Sequence, residues 1–241
     1  MAGLPTFRDM PRAAQIAAFE KGLIPYIPAD GPSYDPDARE AILERYDGYR
    51  LISVQHQVKA AERLRKGPVA EAAVALGIAK TRKEAASLGL SMLAPAADLV
   101  LYSTGLGSQN AMSCYLDECA GEFSGGEQMV LEAMSAAVFS IFRVTGLHQG
   151  AGVDMLDLLS GEEIWLVDRG IDLSGMTGME FAARLFQPED FWMTTGVTIQ
   201  LGSDMWLELE RIGASRKQNK LPAAAFDRNR LAEAVYRVSV R

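Results

Sequence analysis

Apolar residues in the first half of the chain recur at three- and four-residue steps, the spacing of one face of a helix. Asp9 can cap a helix over residues 10–21 that Gly22 closes, and the prolines at 25, 28, 32 and 36 make the next stretch a rigid connection. Asp35-Pro36 reads as a helix start, with the helix reaching about Tyr46 before Gly48. Leu51, Val54, Val58, Ala61 and Leu64 then recur at three- and four-residue steps as one apolar stripe, and Gly67-Pro68 breaks it. A short helix over residues 69–76 follows. Thr81 with Glu84, and Ser124 with Glu127, form capping boxes, the second before the well-marked stripe Met129, Val130, Ala133, Met134, Ala137 and Val138.

Beyond residue 138 the period shortens. Residues 139–144 are aromatic and β-branched, and the segments 153–159 and 162–168 flank Ser160-Gly161 as a hairpin would. The segments 181–186 and 191–199 flank a second turn, Gln187-Pro188-Glu189-Asp190. Helices over 203–212 and 222–238 complete the pattern. The predicted class is α+β: a helical N-terminal region (residues 1–138), then a small curled antiparallel β-module with C-terminal helices (139–241). No flexible linker separates Val138 from Phe139, so one shared core is predicted.

Composition narrows the function classes. Apolar residues make up 49% of the chain and charged ones 23%, which suits a globular core. No apolar run approaches the ~20 residues that span a bilayer, and none near the N-terminus resembles a secretory signal, so no membrane partner is expected. Cys114 and Cys119 stand five apart, a poor spacing for a disulfide on a helix, and two free thiols suit a cytoplasmic protein. The net charge of -7 disfavours bulk nucleic-acid binding. Its distribution is uneven: residues 150–210 carry twelve acids against Arg169 and Arg184, whereas the chain from Arg211 onward is basic. Opposed halves of this kind attract each other within one molecule or across a dimer.

Two segments carry candidate chemistry. In residues 69–88, Ala73, Gly77 and Ile78 fall where a helix-turn-helix needs a small residue, a turn glycine and an aliphatic. Lys80, Arg82 and Lys83 open its second helix, where DNA contacts are made, although Lys83 stands where such motifs bury an aliphatic. Gly105, Gly107 and Ser108 follow the apolar run 99–102, and a strand, glycine turn and helix start can cradle a phosphate. There is no Lys-Ser or Lys-Thr pair of a P-loop and no third glycine of the dinucleotide fingerprint. His56 and His148 lack zinc-type spacing to other ligands, so no metal and no cofactor is expected. Asp154 with Asp157, and Glu162 with Glu163, read as solvated strand and turn residues. Trp165, Trp192 and Trp206 read as core or edge covers.

The run Asp157-Leu-Leu-Ser-Gly-Glu-Glu163 leading into Trp165-Leu-Val-Asp168, then Gly178, Ala182-Ala-Arg-Leu185, Phe191 and Met193-Thr-Thr-Gly196, resembles a β-module of uncharacterised bacterial proteins that often carry SEC-C zinc knuckles. The resemblance implies a bacterial origin and a small β-module. A SEC-C knuckle needs clustered cysteines and this module has none, so the knuckle's zinc and partner-binding role does not carry over. The leading functional expectation is a non-enzymatic cytoplasmic binding or adaptor protein, with a protein partner or a second copy of itself. The alternatives are a DNA-binding regulator using residues 69–88 and an enzyme holding a nucleotide or phosphorylated ligand at 104–108.

Overall fold

The computed structural model describes residues 36–64, 67–103, 109–123, 125–169, 176–213 and 227–240. Among these residues six helices precede the sheet: α1 (Pro36–Arg63), α2 (Pro68–Leu76), α3 (Arg82–Ala85), α4 (Leu90–Tyr102), α5 (Ala111–Glu118) and α6 (Gly125–Ser135). Five strands follow, β1 (Val138–Leu147), β2 (Val153–Asp157), β3 (Glu163–Leu166), β4 (Glu180–Phe186) and β5 (Met193–Gln200), and then α7 (Ser203–Gly213) and α8 (Arg228–Ser239). The class is α+β, as the change of period predicts. The helix expected over 10–21 and the glycine turn 104–108 lie outside the described residues.

One helix of 28 residues replaces the two expected around Gly48. A single glycine costs a helix only ~1 kcal/mol, and packing on both sides of it supplies more than that. Leu43 and Tyr46 are buried before it, and Ser53, His56 and Ala60 after it. The buried face of α1 is therefore partly polar. Leu51, Val54 and Val58 of the apolar stripe are 62%, 43% and 53% exposed.

The sheet is antiparallel throughout, in the order β3-β2-β1-β4-β5. The expected curled or closed sheet is corrected to an open one. Its edge β3 meets the start of β5 only at the bridge between Leu166 and Trp192, where the Val167 amide donates to the Trp192 carbonyl at 3.0 Å. One face is covered by helices in two clusters. Tyr46, Tyr115, Met134, Phe186 and Phe191 belong to the first; Leu76, Ala96, Phe139, Ile141 and Tyr236 belong to the second. On the other face Phe142, Val144, Met155, Ile164, Phe181 and Leu185 pack on one another. Between Ala183 and Leu185 the register jumps from Thr198 to Thr194, and Gly196 takes φ +119° in the extra length of β5.

Candidate functional site

The turn from β2 to β3 is built on one carboxylate. Asp157 Oδ1 accepts from the Leu159 amide (2.8 Å), the Ser160 amide (3.3 Å) and the Ser140 hydroxyl (2.5 Å), while Oδ2 accepts from Arg228 Nη1 (3.3 Å). Asp157 is buried, so its reading as a solvated turn residue is corrected. Burial pushes its carboxyl up, but the Ser140 hydroxyl, the two amides and the Arg228 charge together hold it below the ordinary carboxylate value. Arg228 Nη1 also donates to the Phe139 carbonyl at 3.2 Å. Its Nε and Nη2 have no hydrogen-bond partner among the described residues. This pair is one realised contact between the acidic module and the basic C-terminal stretch.

Beside it lies a cleft of about 220 Å³ lined by Val138, Phe142, Ile164, Leu185 and Trp192, with Asp157, Glu162 and Arg228 as its polar groups. A second cleft of about 180 Å³ is lined by Met176, Met179, Glu180, Phe181, Thr198 and Gln200, and it has no cation.

Two buried polar networks stand behind the helices. His56, with no exposed surface, bonds Glu127 through Nε2 (2.8 Å) and the Tyr115 hydroxyl through Nδ1 (2.8 Å). A carboxylate only accepts, so Nε2 carries a proton toward Glu127. Arg63 Nη1 lies 2.6 Å from Cys119 Sγ, and its guanidinium covers the Tyr115 ring at 4.7 Å. Burial and the adjacent Cys119 raise the Tyr115 hydroxyl above its ordinary value. In the second network Arg184 Nε donates to Asp98 (3.0 Å), which also accepts from Thr195 (2.9 Å) and Tyr236 (2.9 Å). Tyr236 is pushed well above its ordinary value by burial and the Asp98 charge. Neither network lines either cleft. Each ties distant segments together, which is the work of a scaffold.

The sequence candidates fare differently. Gly77 has φ +85° and ends α2, and Thr81 caps α3 by accepting from the Glu84 amide at 3.1 Å. Yet α3 is a single four-residue turn, so Lys80, Arg82 and Lys83 do not open a recognition helix. All three are exposed, and Arg82 pairs with Glu71 at 3.0 Å. Gly105, Gly107 and Ser108 lie outside the described residues. The run 99–102 before them is the last turn of α4 and not a strand, and the next described helix starts after its cap Asn110. His148 stacks on Trp165 at 4.0 Å, away from Cys114 and Cys119. Among the described residues, no three His, Cys, Asp or Glu side chains converge to hold a metal, and no helix is long and apolar enough to cross a membrane.

Sequence reasoning did not single out Arg228, and it took Asp157 for a solvated residue. An Asp two residues before an amide and three before Ser-Gly is an Asx-turn signal, which could have marked Asp157. Nothing local marks its partner 71 residues away.

A family model matches residues 40–220, three-quarters of the chain. The chain belongs to that family, a family of unknown function (DUF7986). The match runs from α1 through the whole sheet and α7, so the helical layer and the sheet belong to one family unit. No curated protein and no solved structure matches the chain.

Proposed function

We propose that this member of the family is a non-enzymatic cytoplasmic binding protein that acts by self-association through the outer face of α1. The observation that carries the reading is the exposure of Leu51, Val54 and Val58 along one ridge, while Ser53 and His56 take the inner positions. Single exposed aliphatics are ordinary, but three at helical steps have the spacing that a helix-pair seam uses. A second copy is the simplest occupant. With a two-fold axis perpendicular to α1, two such ridges run antiparallel and Leu51 of one lies over Val58 of the other. Among the described residues no nucleophile and base line either cleft together, which supports a role without catalysis, and two unpaired thiols support a reducing compartment. The one-turn α3 gives the DNA-binding alternative no further support.

Light scattering across a concentration series tests this. The native chain is expected to form a dimer that Val54→Asp converts to monomer with an unchanged far-ultraviolet spectrum, since residue 54 supports no core contact. A native chain that stays monomeric to about 1 mM, the limit of weak specific association, overturns the reading. So does a dimer indifferent to the substitution.

A further inference from the structure

We infer that the cleft between β1, β3 and the start of α8 binds a small apolar α-amino acid. This stands apart from self-association, which uses the outer face of α1. An engineered apolar cavity of about 150 Å³ accepts a benzene ring. A cleft of about 220 Å³ therefore admits a branched or aromatic side chain, and it falls under the ~300 Å³ at which drug-sized sites begin. Phe142, Ile164, Leu185 and Trp192 supply the apolar walls.

The polar rim selects the rest of the ligand. Among the described residues Arg228 commits only Nη1, which leaves Nε and Nη2, the parallel pair of donors that grips a carboxylate. Asp157 is engaged through both oxygens: Oδ1 takes three donors and Oδ2 takes Arg228. It balances the guanidinium charge without competing for the ligand. Glu162 is exposed on the same cleft, and only its Oε2 is engaged, by the Ser160 hydroxyl at 3.2 Å. A simple carboxylate would add a second uncompensated negative charge beside Glu162. A simple amine would leave the Arg228 fork empty. A zwitterion satisfies both, its carboxylate on Arg228 and its ammonium beside Glu162.

Calorimetric titration of the full chain with L-leucine and L-phenylalanine tests the assignment, with glycine, N-acetyl-L-phenylalanine and phenethylamine as comparison ligands. At least one of the two amino acids is expected to bind, and each comparison ligand to bind about tenfold more weakly or worse. Arg228→Gln and Glu162→Gln are each expected to weaken binding by about ten- to a hundred-fold, the worth of one charge-assisted contact. Glu162 is a solvated side chain, so its replacement leaves the fold intact. Arg228→Lys keeps the charge against Asp157 and removes only the fork, which separates misfolding from lost recognition. No binding of either amino acid by the folded chain at millimolar concentration overturns the proposal. So does equal binding of the acetylated or decarboxylated ligand, or an unchanged affinity in Glu162→Gln.

Discussion

Gly152, at the turn from β1 into β2, shows how little room the sheet leaves at one position. Its φ is +78°, and a Cβ there would stand 2.0 Å from the Leu166 carbonyl oxygen and 3.1 Å from the Val167 Cα. Those are backbone atoms of the neighbouring strand, so no side-chain movement relieves the clash. Left-handed backbone alone costs a side-chain-bearing residue ~1–3 kcal/mol, and the collision adds to it. Gly152→Ala is therefore expected to lower stability by about 3 kcal/mol or more, read as a fall in the urea midpoint at unchanged slope. The adjacent sequence shows only that a turn is near, because the atoms in conflict lie some fourteen residues further on. Asp157 teaches the same lesson. Its type and turn position were legible, but its burial depends on Ser140 and on Arg228, which come from other elements.

At the scale of elements, Gly48 interrupts the sequence pattern without interrupting the helix. It is exposed within α1, and nothing lies within 4 Å of an added Cβ. Gly48→Ala should stabilise the protein by about 0.5–1 kcal/mol through backbone entropy and propensity, seen as a higher thermal midpoint. The strands, the hairpin around Ser160-Gly161 and the cap at Thr81 follow local chemistry, and these were readable. The orientation of α1 was not. A periodic stripe fixes one face of a helix and leaves open whether that face points inward. Here the inner face is chosen by polar side chains that find partners elsewhere: Arg50 donates to the Thr194 carbonyl at 2.8 Å, and Gln57 to the Thr195 carbonyl at 2.8 Å. Long-range partners of this kind leave no periodic trace. The same limit hid the cleft, whose walls come from β1, β3, β4 and the start of β5, and whose cation comes from α8.

For the molecule as a whole, the Asp157–Arg228 pair joins the middle of the sheet to the last helix, and α8 in turn packs on the helical layer through Ala232, Val235 and Tyr236. Protonating Asp157 should therefore be felt beyond the turn. Its carboxyl is held lower in the folded chain than an unfolded carboxylate, so the folded state binds its proton more weakly. The resulting stabilisation is fully present above the unfolded value and is lost as the pH falls through the folded one. Asp157→Asn removes the charge and weakens the contact with Arg228 while keeping one oxygen for the turn amides. It should cost about 1–3 kcal/mol at neutral pH, where hydrogen bonds to the ionised group are intact. In strong acid, where the native carboxyl is itself protonated, the two proteins should converge. Denaturant midpoints measured at neutral pH and again near pH 2 check the sign. A deficit of the variant that stays the same in acid would mean that Asp157 acts by shape alone. A gap that closes would place its charge among the forces holding the C-terminal helix to the sheet, beside the cleft whose recognition is assigned to Arg228.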